Sequence, residues 1–269
     1  MNRLTGTLFL GLALWLSGCA QGVAVYGLAT GPGVSADVLT ESDESPQRRR
    51  ARLRTELAAA YFQQGQTLVA LDEIKQALLA DSAYADAHNL RGLVFLRLND
   101  WPVAGDSFQR ALALRPGDPD ALHNLGWLLC QQSRFDESDK LFAQAIAQPR
   151  YAQPGKTRVA QGVCQMRAGQ PGLAKASWLQ ALVLDADNPV ASYQLAQLYF
   201  KGGDFQLAQP YMRKLNASGL ANAESLWLGI RIERQLNQPA AVAALAGQLR
   251  LRFAQSRELI AFDKGVFHE

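Results

Sequence analysis

Small and large apolar residues alternate along the chain in a pattern that returns about every 34 residues between positions 51 and 256. Each unit contains two small residues twelve positions apart and a large apolar residue four positions after the second. The first small residues are Ala58, Gly92, Gly126, Gly162, Ala196 and Gly229. The second small residues are Ala70, Ala104, Ser138, Ala174, Ala208 and Ala241. The large residues that follow are Ile74, Phe108, Phe142, Trp178, Met212 and Leu245.

This alternation predicts how each unit is built. Small residues at matched positions allow two helices to approach closely, while large residues fill the groove beside the crossing. We therefore predict that each unit forms one antiparallel helix pair. Neighbouring pairs have to stack, because one pair alone cannot bury its apolar face.

A period of about 34 residues resembles that of tetratricopeptide repeats. The resemblance implies an all-α fold, a right-handed superhelical solenoid of six helix pairs over residues 48–256. The first small residues are spaced by 34, 34, 36, 34 and 33 positions, so a two-residue insertion is expected between Gln148 and Gly155. A generic helical bundle is the alternative, but a bundle does not require a fixed period.

The start of the chain has the pattern of a secretory signal over residues 1–18. A basic residue, Arg3, precedes an apolar run from Leu8 to Leu16 that is too short to span a bilayer. The run ends in Leu-Ser-Gly-Cys, which resembles the lipobox of bacterial lipoproteins, in which cleavage precedes the cysteine. The resemblance implies that Cys19 carries a diacylglycerol on its thiol and an acyl chain on its amine. An ordinary signal peptide with a chance cysteine is the alternative.

Lipidation at Cys19 predicts a membrane address, since more than one acyl chain gives stable anchoring. Ala20 stands where an aspartate tends to retain such lipoproteins at the inner membrane, so the resemblance implies the periplasmic face of the outer membrane. The rest of residues 19–47 is rich in glycine and lacks helical periodicity, which predicts a flexible tether with a span of roughly 30 Å. For the basic cluster that follows, from Arg48 to Arg54, two roles are predicted: contact with lipid headgroups, or a solvated start to the first helix.

Composition and motifs argue against several classes of function. The 27 basic and 24 acidic residues give a net charge of only +3, without the basic stripe of a nucleic-acid-binding protein. The histidines His88, His123 and His268 lack the spacing of metal ligands, and the chain has no phosphate-binding glycine loop. We therefore predict a non-enzyme with no metal, no cofactor beyond the lipid on Cys19 and no small-molecule substrate.

In tetratricopeptide arrays the first helix of each pair lines a concave face that binds peptides. The positions of this sequence that match the family's groove are Phe62, Asn89, Leu93, Leu96, Arg97, His123, Trp127, Gln131, Met166, Arg167, Tyr193, Gln197 and Phe200. Large apolar residues at such positions predict an apolar peptide as partner, with Trp127 as the anchor. Alternatively, Leu93, Leu96 and Met166 pack between neighbouring first helices. Thr55 and Ala59 replace the Lys and Asn with which some relatives clamp a terminal carboxylate, so that clamp is absent.

Two further cysteines, Cys130 and Cys164, lie at nearly the same height on the first helices of adjacent units. A disulfide is geometrically feasible if the two side chains face each other, and the predicted compartment is oxidising. Two buried free thiols are the alternative.

The last repeat carries a more specific resemblance. The stretch from Ser225 to Leu236, with its Leu-Gly-Ile-Arg core, and the stretch from Gln248 to Ser256 resemble the closing repeat of the type IV pilus biogenesis and stability proteins called PilW or PilF. The match departs from the family at Ala254, where a proline is common. The resemblance implies a pilotin: an outer-membrane lipoprotein that binds the pilus secretin subunit (PilQ-type) and promotes its targeting and multimerisation without turnover.

Two other functions remain open. A periplasmic repeat lipoprotein also scaffolds cell-wall enzymes in some cases, and co-purification of peptidoglycan hydrolases or synthases would indicate that role. A regulatory part of a processing enzyme is the third possibility, although the sequence shows no attached catalytic domain.

At the end of the chain, residues 257–269 are predicted to form a capping helix or tail with Leu259, Ile260 and Phe262 turned inward.

Overall fold

The computed structural model describes residues 43–267, and all regular secondary structure in that range is helical. The helices are α1 (Pro46–Gln63), α2 (Thr67–Ala80), α3 (Ala85–Arg97), α4 (Trp101–Leu114), α5 (Pro119–Gln131), α6 (Phe135–Ile146), α7 (Pro154–Arg167), α8 (Pro171–Leu184), α9 (Pro189–Lys201), α10 (Phe205–Ala217), α11 (Ala223–Gln235), α12 (Pro239–Arg252) and α13 (Arg257–Asp263). The predicted signal peptide, Cys19 and residues 20–42 of the predicted tether lie outside the described residues.

Consecutive helices pack in pairs, from α1 with α2 to α11 with α12. The predicted all-α array of six helix pairs is therefore confirmed. The basic cluster from Arg48 to Arg54 lies within α1. The predicted insertion lies in the loop of residues 147–153, between α6 and α7.

Each turn inside a pair contains one residue with a positive φ. These residues are Gly65, Asn99, Ser133, Gly169, Gly203 and Asn237. Glycine and asparagine adopt this left-handed conformation more readily than other residues. The chain therefore reverses direction at the same point of every repeat.

The small residues predicted from the sequence lie where the two helices of a pair cross. A Cβ atom added to Gly162 would stand 2.4 Å from the Trp178 ring, and one added to Gly92 would stand 2.4 Å from the Phe108 ring. Trp178 and Phe108 are themselves fully buried. Glycine on the first helix thus makes room for an aromatic ring on the second, which explains the pairing of small with large positions.

Successive pairs are joined mainly through each second helix, which packs against the first helix of the next pair. First helices also contact each other directly: α1 with α3, α3 with α5, α5 with α7 and α9 with α11. We call the surface formed by these first helices the inner face. It is the surface on which the predicted groove residues lie.

The last helix, α13, covers the end of the stack. Leu259 is buried there, and Phe262 packs against the cluster that contains Ile230 and Leu249. The inward orientation predicted for Ile260 is wrong, because this side chain is 51% exposed. Adjacent helical residues point about 100° apart, and the buried side of α13 is formed by Glu258 and Leu259, so the next residue, Ile260, turns to solvent.

Candidate peptide-binding surface

Most of the predicted groove residues lie on the inner face and are half-buried. They are Phe62 on α1, Asn89, Leu93 and Leu96 on α3, Trp127 on α5, Met166 on α7, and Tyr193 and Phe200 on α9. Side chains of this kind are held in place on one side and reach solvent on the other. The inner face therefore offers apolar and aromatic contact area that is already ordered.

Some of these residues also pack between neighbouring helix pairs. Leu93 touches the apolar cluster around α1 and α2 and the next cluster around α4 and α5. Leu96 belongs to the second of these clusters, and Met166 packs against the cluster that contains Trp178 and Leu195. Leu93, Leu96 and Met166 therefore pack between neighbouring helix pairs, as the alternative prediction held, and each is also partly exposed.

His123 differs from the other predicted groove residues because it is buried, with only 7% of its surface exposed. Its Nδ1 lies 2.8 Å from the Thr157 hydroxyl on α7, and its ring tilts against Phe142. Burial, and secondarily the positive charge of Lys156, lowers the pKa of His123 to about 4. His123 therefore packs the joint between α5 and α7 and does not offer its ring to a bound peptide.

The joint between the third and fourth pairs is covalent. A disulfide connects Cys130 on α5 to Cys164 on α7, with the two Cα atoms 5.8 Å apart. Both cysteines are buried with Phe142, and Trp127 packs against this cluster from the inner face. The ring of Trp127 is thus supported by the most constrained part of the array.

Polar side chains link neighbouring first helices along the same surface. The Asn124 amide donates to Asn89 Oδ1 at 3.0 Å. The guanidinium of Arg97 lies 3.5 Å from the centre of the Phe62 ring and donates to the backbone carbonyl of Phe62 at 2.6 Å. These contacts fix the first helices relative to one another.

A pocket of about 560 Å³ opens on the inner face between α9, α11 and α13, and we call it the α9–α11 pocket. Its lining residues are Tyr193, Gln197, Phe200, Lys201, Glu224, Trp227, Leu228, Arg231, Arg257 and Glu258. Pockets of this size and aromatic character are typical of sites that accept a side chain or a small ligand.

The charges around the α9–α11 pocket are arranged in pairs and stacks. Arg257 bridges Glu224 at 2.9 Å and Glu258 at 2.7 Å. The guanidinium of Arg231 lies 4.6 Å from the centre of the Phe200 ring. Burial, followed by the negative charge of Glu224, raises the pKa of Tyr193. The tyrosine therefore stays a neutral donor at physiological pH.

Tyr193, Gln197 and Phe200 are among the groove residues predicted from the sequence, but the opposite wall of the pocket is not. Trp227 lies 34 residues after Tyr193, so the repeat period itself carried that signal. The ring of Trp227 stacks on Phe267 at a centroid distance of 5.4 Å. The contribution of α13 could not be read from the period, because this helix lies beyond the last repeat.

The described residues contain no group of three or more His, Cys, Asp or Glu side chains placed to hold a metal ion. Across residues 43–267, none of the helices combines the length and apolar character needed to cross a membrane. The chemistry that this surface offers is contact with another molecule through rings, aliphatic groups and cations.

Comparison with known proteins agrees with the helix-pair architecture. A tetratricopeptide-repeat family model matches residues 55–119 and 159–221, and a second tetratricopeptide-repeat model matches residues 107–140. Together these matches span more than half of the chain. Tetratricopeptide repeats typically form scaffolds for protein contacts.

Proteins of the type IV pilus are among the relatives. The type IV pilus assembly protein PilF of Pseudomonas aeruginosa is 28% identical over 210 residues, covering 77% of this chain and 82% of PilF. The solved structure of Pseudomonas aeruginosa PilF has a TM-score of 0.72 at 25% identity and covers 82% of this chain and 100% of that one. The crystal structure of PilW, a type IV pilus biogenesis factor, has a TM-score of 0.70 at 29% identity, covering 79% of this chain and 97% of that one. The chain therefore belongs to the tetratricopeptide-repeat proteins and is a homologue of the type IV pilus assembly protein PilF, with a structure close to those of PilF and PilW.

Proposed function

We propose that this protein is a pilotin of the type IV pilus. Its inner face binds a segment of the pilus secretin subunit, and binding promotes targeting of the secretin to the outer membrane and its assembly into a multimer. The observation that carries the proposal is homology to PilF over most of both chains. The half-buried rings of Trp127, Tyr193 and Phe200 support it, because rings held in place are the usual anchors at protein interfaces.

The proposed mechanism is binding without turnover. The lipid expected on Cys19 supplies the membrane address, and the inner face supplies recognition, so one molecule couples the two. The protein needs no cofactor for this role beyond the acyl chains themselves.

Site-specific crosslinking in living cells tests the proposed partner. A photoreactive amino acid at position 127 is expected to capture the secretin subunit, because Trp127 lies on the inner face beside the ordered joint of α5 and α7. The same amino acid at Arg110, exposed on the second helix α4, serves as the matched control and is expected to capture none. Capture of peptidoglycan hydrolases or synthases in place of the secretin would establish the scaffolding function instead.

Loss of the gene tests the biological role. Cells without the protein are expected to contain secretin monomers in place of multimers and to lose twitching motility. Normal multimers together with normal twitching would refute the proposal.

Labelling with a palmitate analogue tests the anchor separately. The wild-type protein is expected to take up label and to fractionate with the outer membrane, whereas Cys19→Ala is expected to do neither. A wild-type protein that stays unlabelled and fractionates as soluble would remove the anchor from the proposal and leave the secretin contact to be judged by crosslinking.

A further inference from the structure

The charges of the first and second helices differ. The first helices of the six pairs carry thirteen basic and five acidic residues, a net charge of +8. The second helices carry eight basic and six acidic residues, a net charge of +2. The helices that form the inner face therefore carry an excess of positive charge. On α1 part of it is balanced, because Arg48, Arg52 and Arg54 pair with Asp81, Glu44 and Glu73.

The few acidic residues on the first helices are largely neutralised by contacts within the protein. Four of the five lie in ion pairs: Glu56 with Arg52, Asp86 with Arg115, Glu224 with Arg257 and Glu233 with Arg213. The pairs at Asp86, Glu224 and Glu233 draw their cations from outside the first helices. Little negative charge is left on the inner face to repel an acidic partner.

Several cations of the inner face contact uncharged groups and so keep their charge available. Arg97 donates to the backbone carbonyl of Phe62, and Arg167 donates to the amide oxygen of Gln131 at 2.9 Å. Lys201 is exposed at the rim of the α9–α11 pocket. These three residues end α3, α7 and α9 respectively, so they recur at one end of the inner face.

Two of these cations lie close to aromatic rings. Arg97 covers the Phe62 ring, and Lys201 shares the α9–α11 pocket with Tyr193 and Trp227. A partner that carried only carboxylates would leave the rings uncovered, and one that carried only apolar side chains would leave the cations without counter-charge. Complementarity to this surface requires both kinds of group.

We infer that the segment bound by the inner face is an acidic polypeptide segment with an apolar or aromatic anchor. The anchor occupies the α9–α11 pocket against Tyr193, Phe200 and Trp227. Carboxylates beside the anchor meet Lys201, Arg167 and Arg97. This inference rests on the proposed function, since it gives the chemistry of the segment that the same surface binds.

Crosslinking from inside the pocket tests the chemistry of that segment. A photoreactive amino acid replaces Gln197 in the full chain in living cells, and mass spectrometry identifies the crosslinked peptide of the captured protein. The expected peptide has a net negative charge and contains a large apolar residue at or beside the crosslink. A neutral or basic peptide would overturn the inference, as would a failure of position 197 to capture anything in cells where position 127 captures its partner.

Charge-removing variants provide the second arm. The double variant Arg167→Gln/Lys201→Gln is expected to lower the yield of the position-197 crosslink roughly three- to tenfold, because two exposed ion pairs are lost. The matched control Arg110→Gln/Lys140→Gln removes the same charge from the exposed surfaces of α4 and α6 and is expected to keep the full yield. Equal losses in both variants would overturn the inference.

A cation at the end of a helix also interacts with the helix dipole, so stability is measured on the same variants. Thermal unfolding of the two double variants is expected to differ little, while their crosslink yields differ. A loss of yield that is matched by an equal loss of folded protein would assign these cations to stability and overturn the inference. Capture of a protein other than the secretin through an acidic segment would leave this inference standing and refute the proposed function.

Discussion

At the scale of single residues, the crossing of each helix pair depends on the match between one small and one large side chain. Where the first small residue of a repeat is glycine, the second helix carries a ring in three of four cases, as in Gly162 with Trp178, whereas Gly229 faces Leu245. Where the first helix carries alanine, the facing residue is smaller, as in Ala58 with Ile74, and both are fully buried. A smaller residue on the first helix is thus matched by a larger one on the second, so the space at the helix crossing stays filled.

Gly162→Ala is expected to destabilise the protein by about 1–3 kcal/mol, because the new methyl group would overlap the buried Trp178 ring. Thermal unfolding measures the effect, at roughly 2–4 °C for each kcal/mol in a domain of this size. The matched control is Gly247→Ala, in the middle of α12, where a new Cβ meets nothing within 4 Å. That change is expected to raise stability by up to about 1 kcal/mol through helix propensity. Equal effects of the two changes would contradict the volume argument.

His123 is expected to make stability depend on pH. Its pKa of about 4 in the folded protein is below its ordinary value of 6.5, so the unfolded chain binds a proton first as the pH falls. Stability is therefore complete above about pH 6.5 and is lost as the pH falls toward 4, by about 3 kcal/mol for this group. The free energy of unfolding, measured with denaturant at a series of pH values, is expected to fall less steeply with decreasing pH in His123→Gln than in the wild-type protein. Parallel curves for the two proteins would show that His123 does not contribute.

At the scale of elements, two features hold the array beyond the repeating contacts. One is the disulfide between α5 and α7, next to the loop of residues 147–153. Tyr151 in that loop lies 2.7 Å from the Thr157 hydroxyl, which also contacts His123. The other is α13, which covers the last pair. Both features stand where the regular stacking is interrupted, in the middle and at the end.

Reduction of the disulfide is expected to lower the free energy of unfolding by about 3 kcal/mol, since the bond joins residues 34 positions apart. Denaturant unfolding with and without reductant measures the change. The double variant Cys130→Ala/Cys164→Ala is expected to be as stable with reductant as without it. If reductant did not change the free energy of unfolding of the wild-type protein either, the disulfide would add no stability.

Substitutions of the two neighbouring apolar residues of α13 are expected to differ sharply in their effect on stability. Leu259→Ala removes a buried side chain from the cluster that covers the last pair, at a cost of about 2 kcal/mol. Ile260→Ala changes an exposed side chain of the same helix and is expected to alter stability by less than about 0.5 kcal/mol. Thermal unfolding distinguishes the two, and equal losses would mean that α13 packs in another orientation.

At the scale of the whole molecule, the sequence predicts the repeats far better than the surface they present. The period and the small residues suffice for the helix pairs, because each repeat packs only against its neighbours. Exposure is harder to predict. His123 and Trp127 occupy similar positions on one helix, yet a hydroxyl and a ring from other elements bury the first and not the second. The pocket wall formed by α13 depends on contacts beyond the last repeat, which periodicity does not describe.

A stack of similar units has a particular hazard during folding. A first helix has several surfaces of nearly equal shape on which to dock, so a repeat in the wrong order or from another copy of the chain competes with the right neighbour. The bond between Cys130 and Cys164 forms only when the third and fourth repeats are side by side in the correct order. Once formed, the bond holds these two repeats together and is therefore expected to disfavour exchange of either half of the array with another copy of the chain.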